Sequence, residues 1–210
     1  MSQYLELHPV NPQPRLVKRA VEIIRGGGVI AYPTDSSYAL GCHIGDKTAM
    51  DRMARIRRID EKRHDFTLVC RDLSEIATYA KVGNSEYRLL KSLTPGAYTF
   101  ILPATREVPR RLQNPKRKTI GIRVPDSAIV RALLTELNEP IMSGSLILPG
   151  DSLPLSEPEE IRVRLERDLD LVIDGGHCGV EPTSVLDLSE EGVVRVLRAG
   201  RGDVSRFAQD

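Results

Sequence analysis

Pro33-Thr34-Asp35-Ser36-Ser37-Tyr38-Ala39-Leu40-Gly41 follows directly on a short apolar stretch, Val29-Ile30-Ala31-Tyr32. The apolar residues read as a buried strand, and the hydroxylated run as the mouth of that strand. Small hydroxyl side chains pack an interior poorly and hold a polar ligand well. Open α/β sheets place their sites at strand ends, so this hydroxylated run is a candidate for ligand contact. Upstream, Gly26-Gly27-Gly28 ends a helix expected over 12–25, with Asn11 as cap, Pro12 in the first turn and an apolar stripe of Leu16, Val17, Ala20, Val21 and Ile24.

Downstream, the apolar periodicity predicts a helix over 46–58 capped by Asp46, a short strand over 66–70, and helices over 73–80 and 85–93, the last capped by Asn84. Pro95-Gly96 marks a turn before a strand over 98–102. A polar loop leads to a strand over 119–124, a helix over 126–137 and a strand over 141–147. A helix over 157–167 carries a capping box of Ser156 and Glu159. Strands over 169–173, 184–188 and 193–197 follow, the last two at hairpin spacing. Helices interleaved with strands predict a layered α/β fold with a twisted, mixed sheet, as one domain over 1–210.

Composition narrows the class. The chain has no Trp and three Phe, so its core is aliphatic. No apolar run reaches the roughly 18 residues of a membrane span, and Met1-Ser2-Gln3-Tyr4-Leu5-Glu6 lacks the pattern of an export leader. Three cysteines, Cys42, Cys70 and Cys178, argue against a disulfide framework and for a reducing, cytoplasmic setting. The net charge of +1 conceals a segregation. Arg106, Arg110, Arg111, Lys116, Arg117, Lys118 and Arg123 fall within 106–123 against the single acid Glu107, and Lys47, Arg52, Arg55, Arg57, Arg58, Lys62, Arg63 and Arg71 fall within 47–71. Basic clusters of this kind can meet phosphates. The expected RNA contacts are Arg110, Arg111, Lys116, Arg117 and Lys118.

Two strands carry the chemistry. In 119–124, Ile120, Ile122 and Val124 share one face, while Thr119, Gly121 and Arg123 share the other. In 141–147, Ser143 and Ser145 share a face. Faces of Thr, Gly, Ser and Arg suit either open water or the floor of a polar cavity. With one guanidinium among them they form a candidate anion pocket, since Arg offers a planar fork to carboxylate or phosphate. The run Pro182-Thr183-Ser184-Val185-Leu186-Asp187 and Val196-Leu197-Arg198-Ala199-Gly200 add hydroxyls and a further Arg. No Gly-Lys-Ser/Thr phosphate loop is present. Cys42-His43 and His177-Cys178 lack zinc-site spacing, so no metal site is assigned.

The Pro-Thr-Asp-Ser-Ser-Tyr-Ala-Leu-Gly stretch resembles the Pro-Thr-Glu-Thr-x-Tyr-Gly-Leu entry motif of the YrdC/YciO family. Pro95-Gly96-Ala97-Tyr98-Thr99, Arg123-Val124-Pro125, the 183–187 run and Arg198-Ala199-Gly200 extend the likeness over roughly 12–202, closest to the YciO branch. The resemblance implies a YrdC-like fold whose sheet encloses a basic cavity. It implies chemistry on ATP, bicarbonate and L-threonine that yields threonylcarbamoyl-AMP for tRNA modification, with Mg²⁺ accompanying the ATP. By similarity Ser36, Arg123, Ser143 and Thr183 contact threonine. Arg57, Thr119, Ser145 and Arg198 hold the nucleotide, with Arg57 and Arg198 in catalytic roles. The family's Lys-x-Arg aligns with Arg57-Arg58-Ile59, and its Ser-x-Asn with Ser145-Leu146-Ile147. Ile59 and Ile147 thus replace residues at the triphosphate end, which predicts good binding of AMP relative to ATP and slow or absent synthesis. Two other functions stay open: a hydrolase or reverse-direction enzyme on threonylcarbamoyl adenylate or modified tRNA, and a non-catalytic protein binding double-stranded RNA or the ribosome.

Overall fold

The computed structural model describes residues 2–59 and 66–207. Lys62 and Arg63 of the expected basic run lie outside the described residues. The elements in chain order are β1 (Gln3–Glu6), α1 (Pro14–Arg25), β2 (Ile30–Pro33), β3 (Tyr38–His43), α2 (Lys47–Arg57), β4 (Thr67–Val69), α3 (Leu73–Tyr79), α4 (Asn84–Leu93), β5 (Tyr98–Pro103), β6 (Thr119–Arg123), α5 (Ala128–Leu137), β7 (Ile141–Ser145), α6 (Pro158–Leu165), β8 (Leu171–Asp174), β9 (Ser184–Asp187) and β10 (Arg195–Arg198). Single 3₁₀ turns occupy Arg110–Leu112 and Ser205–Phe207.

The described strands form one mixed sheet in the order β1-β8-β2-β3-β7-β4-β6-β5-β9-β10. β1 and β2 flank β8 in parallel, β4 runs parallel to β6, and β5 parallel to β9. The remaining neighbours are antiparallel. The layered α/β class expected from the pattern is therefore present, and β9 and β10 pair as their spacing predicted.

Local details differ from the expectation. β1 and β3 are strands that the periodicity did not mark. The cap of α1 is Gln13, not Asn11, and it makes no side-chain cap bond. α4 begins at Asn84 with Gly83 as cap. α6 starts at Pro158 behind Glu157, without the Ser156 capping box. Asp46 does cap α2, accepting from the Ala49 N–H.

One face of the sheet is buried along its length by aliphatic residues such as Leu40, Leu68, Ile122, Met142 and Leu186 beneath α2, α3, α4 and α6. The other face is treated in two ways. α1 and α5 pack on each other and cover Ile30, Tyr32, Val69, Ile141, Leu171 and Ile173. Further along the same strands, the residues of this face become Thr67, Gly121, Ser143 and Ser145, and they line a cavity.

Candidate functional site

The opening stretch folds into the β2–β3 hairpin, with Pro33 paired to Tyr38 and the four residues 34–37 as its turn. Thr34 closes that turn. Its Oγ1 donates to the Ser37 carbonyl at 2.7 Å and accepts from the Ser36 and Ser37 N–H groups. With the Thr34 proton committed, Ser36 Oγ donates to Thr34 Oγ1 at 3.1 Å. The turn is thus held by its own hydroxyls, and Ser36 and Ser37 border a cavity of ≈ 360 Å³.

Across the sheet the cavity gathers Ser143, Ser145, Gly121, Arg123, Thr183, Arg57 and Arg198. Three guanidinium groups line it, and among the described lining residues there is no carboxylate. Ser36, Arg123, Ser143, Thr183, Ser145, Arg57 and Arg198, seven of the expected site residues, come together here. Thr119 does not: it is buried opposite Pro103 at the start of β6, on the strand face of Gly121, and is not part of the lining. Ile147 lines the cavity, whereas Ile59 packs against the core beneath the opposite face.

Arg123 is 8% exposed. Its guanidinium is ion-paired with Asp35 and makes a long 3.4 Å bond to Ser36 Oγ. The second Asp35 oxygen accepts from the Asp126 N–H at 2.9 Å. The hairpin turn therefore fixes Arg123 through a carboxylate that is itself anchored. Arg123 Nε remains buried with no hydrogen-bond partner among the described residues, so one donor stays unsatisfied at the cavity wall. Asp35 was not among the expected site residues; its place between two hydroxyls of the motif was the available signal.

Ser143 Oγ donates to the Leu40 carbonyl at 3.1 Å, so the fully buried Tyr32 hydroxyl donates to Ser143 at 2.6 Å. Burial pushes the Tyr32 phenol up to about 12, so it stays protonated and keeps this role. The free lone pair of Ser143 is left for a donor on the ligand. On the far side, Arg198 donates from Nε to the Thr183 carbonyl at 2.9 Å and from Nη2 to Thr183 Oγ1 at 3.2 Å. Thr183 and Thr99 share a further hydroxyl bond at 2.9 Å. Burial, and then repulsion from Arg123, hold the Arg198 pKa below its usual value. Two neighbouring cations, Arg123 buried and Arg198 on the exposed edge strand, favour an anion between them.

Two glycines make the room. A Cβ on Gly121 would lie 2.8 Å from Thr67 Cγ2, and one on Gly144 would lie 2.9 Å from Arg57 Nη1 and 3.2 Å from Phe66. The Arg57 guanidinium occupies the space left open above Gly144, 6.0 Å from the Phe66 ring centre.

The five expected RNA residues are divided. Arg111 is tied to the Gly45 carbonyl, and Arg117 to Asp187, at 2.7 Å, and to Ser189. Arg110 and Lys118 line a separate surface hollow, and Lys116 is exposed. The three cysteines are unpaired thiols. No described helix is long and apolar enough to cross a membrane.

Comparison with known proteins places this geometry. The Sua5/YciO/YrdC family model, described as telomere recombination, matches residues 22–200. YciO of Escherichia coli K12 is 58% identical over 207 residues, 99% of this chain and all of that one. Its crystal structure superposes with a TM-score of 0.94 at 56% identity, covering 99% of this chain and 100% of that chain. Human threonylcarbamoyl-AMP synthase is 31% identical over 193 residues, 88% of this chain and 67% of its own. P. abyssi Sua5 complexed with L-threonine shares the fold, with a TM-score of 0.85 at 23% identity, over 95% of this chain and 58% of that one. The protein belongs to the Sua5/YciO/YrdC family.

Proposed function

We propose that the cavity binds a threonylcarbamoyl adenylate, that it accepts AMP well relative to ATP, and that ATP-dependent synthesis of that adenylate is slow. The observation that carries this reading is the convergence of Arg123, Arg57 and Arg198 on one cavity whose lining includes Ile147. The kinship with threonylcarbamoyl-AMP synthases and with a threonine-binding Sua5 supports the substrate class.

In the synthetic direction the L-threonine amine attacks the bicarbonate carbon and water leaves, giving the carbamate. A carbamate oxygen then attacks the α-phosphorus of ATP, the α–β P–O bond breaks, and pyrophosphate leaves. This chemistry needs no enzyme nucleophile. It needs alignment and cationic charge around the transferring phosphoryl group. Arg123, with its unsatisfied Nε, would grip the threonine carboxylate, and Ser143 would accept from the ammonium or carbamate N–H. Arg57 and Arg198 would offset phosphate charge. The described lining offers Mg²⁺ hydroxyls but no carboxylate, so the ion would enter as part of a Mg·ATP substrate.

The Ile147 side chain offers no hydrogen bond where a family Asn is expected, and Ile59 is turned to the core. A hydrogen bond to a charged group is worth roughly 1.5–3 kcal/mol, so losing the one at position 147 weakens the grip on the outer phosphates and leaves AMP largely unaffected. Threonine-dependent ATP–pyrophosphate exchange tests the reading. The expected result is a rate raised about tenfold by Ile147→Asn. Robust exchange by the unaltered protein would contradict it. Hydrolysis of added threonylcarbamoyl-AMP without exchange would assign the cavity to the reverse or hydrolytic direction.

A further inference from the structure

A further cavity, of ≈ 380 Å³, opens where the two helical layers meet at one end of the sheet. β4 and β6 run parallel, and both deliver their C-terminal ends to it: Cys70 and Arg71 follow β4, and Val124 and Pro125 follow β6. The crevice beyond the carboxyl ends of parallel strands is where an α/β sheet holds small ligands. The floor comes from both cores. Cys70 and Val124 belong to the apolar layer beneath α3 and α4, and Val130 and Leu134 to the layer that α1 and α5 form. None of the described residues lining this cavity lines the adenylate cavity.

The backbone builds the cavity in advance. The Cys70 N–H donates to the Arg123 carbonyl and the Gly96 N–H to the Val124 carbonyl, each at 2.9 Å. The Ser127 hydroxyl caps α5, accepting from the Val130 N–H at 3.3 Å. The floor carries no free polar group. Burial pushes the Cys70 thiol well above its usual value, so it stays protonated. The Thr94 hydroxyl, also in the lining, is spent on the Leu90 carbonyl at 2.8 Å. A polar ligand body would find no partners on such a floor, whereas a hydrocarbon body gains from it.

The rim is cationic. Arg71, Lys91 and Arg131 stand round the floor, and the one acid in the described lining is Asp72. That carboxylate is committed: one oxygen accepts from the Glu75 N–H at 2.9 Å, the other from Arg71 Nε at 3.3 Å. Arg71 is held further by Asn138 Oδ1 at 3.3 Å. Arg131 meets only Asp126, outside the lining, at 3.5 Å, with both side chains more than half exposed. Lys91 is exposed and makes no ion pair among the described residues. The surplus positive charge therefore rests on Lys91 and Arg131, at the edge of an apolar floor. That pairing matches a molecule with a hydrocarbon body and one anionic end.

We propose that this cavity binds a small monocarboxylic acid with an apolar body, at a site separate from the adenylate cavity. Its volume lies near the lower end of the range for small-ligand pockets, roughly 300–1,000 Å³, which suits a free acid of medium chain length. Titration of octanoate into the ¹⁵N-labelled protein, followed by amide NMR, tests it. The amides of Cys70, Arg71, Leu73, Thr94 and Val130 should shift with a Kd of about 1 mM or tighter, with or without saturating AMP. Octanamide, octylamine, acetate and inorganic phosphate should each bind at least tenfold more weakly, since each lacks the anion or the apolar body. Combined Lys91→Gln and Arg131→Gln should weaken octanoate binding at least tenfold. The same variant should keep its AMP affinity and its melting temperature, because both side chains are exposed. No shift at these amides by about 10 mM octanoate would overturn the proposal. So would octanamide binding as tightly as octanoate, a double variant that binds like the unaltered protein, or loss of the shifts when AMP is added. A peptide ending in leucine that bound tenfold more tightly than octanoate would overturn it too, by assigning the cavity to a protein C-terminus.

Discussion

One face of the central sheet is used in two ways, and the contrast separates stability from binding. Beneath α1 and α5, the residues of that face are Ile30, Tyr32, Val69, Ile141, Leu171 and Ile173, closed off from water. Further along the sheet they are Thr67, Gly121, Ser143 and Ser145, and they floor the cavity. β7 shows the change within one strand, from Ile141 to Ser143 to Ser145. The covered half gains stability from apolar burial. The open half gives that up for hydroxyls, small residues and arginines held at fixed positions. A sheet face can thus act as core and binding floor at once, with side-chain size and polarity deciding where one ends.

The largest expected effect lies at the boundary of the two halves. Arg123→Ala should abolish binding of threonine and adenylate. It should also destabilise the fold by about 3–5 kcal/mol, because Asp35 is left buried without its partner. Adding Asp35→Asn should recover much of the stability and none of the binding, as read by thermal unfolding and calorimetric titration side by side. A double variant that regains binding would remove Arg123 from the site.

Within the halves the two readouts should come apart. Leu133→Ala, on α5 over the covered half, removes a fully buried side chain. It should cost about 2–5 kcal/mol and leave ligand affinity unchanged wherever the protein stays folded. Ser143→Ala, in the open half, should cost only about 1–3 kcal/mol through the stranded Tyr32 hydroxyl, yet weaken ligand binding at least tenfold. Equal effects of the two substitutions on both readouts would erase the distinction.

The smallest effect concerns a cation outside both halves. Burial works to raise the Asp187 carboxyl, but the Ser189 hydroxyl and N–H and the Arg117 guanidinium together hold it below its usual value. A carboxyl lowered by folding contributes stability that is whole above its unfolded value of about 3.9 and is lost as pH falls through the lower folded value. Arg117→Gln should therefore destabilise slightly at neutral pH, by under about 1 kcal/mol since Arg117 is half exposed, and the difference should shrink toward pH 2.

Much of this arrangement was legible in the sequence, for identifiable reasons. The alternation in 119–124 and 141–147 placed Gly121, Arg123, Ser143 and Ser145 on their faces, because strand periodicity is a local property. Ser36, Arg57, Thr183 and Arg198 required the family resemblance, since they reach the cavity from distant parts of the chain. β3 was hidden because both its faces are apolar or small, with no polar alternation to mark it. β1 is four residues of mixed polarity whose pairing with β8 depends on a segment some 170 residues away. Thr119 follows the correct parity but lies beyond the cavity's end, which parity alone does not specify. The split between tethered and exposed cations in 106–118 depended on Asp187, Ser189 and Gly45, three partners remote in sequence.

The central claim is that the open half of the sheet is an adenylate site with a weakened hold on the outer phosphates. Isothermal titration of AMP and of Mg·ATP into the unaltered protein and into Ile147→Asn tests it most directly. The account predicts that AMP binds at least as tightly as ATP to the unaltered protein, and that Ile147→Asn strengthens ATP binding alone, by about tenfold. ATP binding tenfold tighter than AMP in the unaltered protein, with no response to Ile147→Asn, would contradict it.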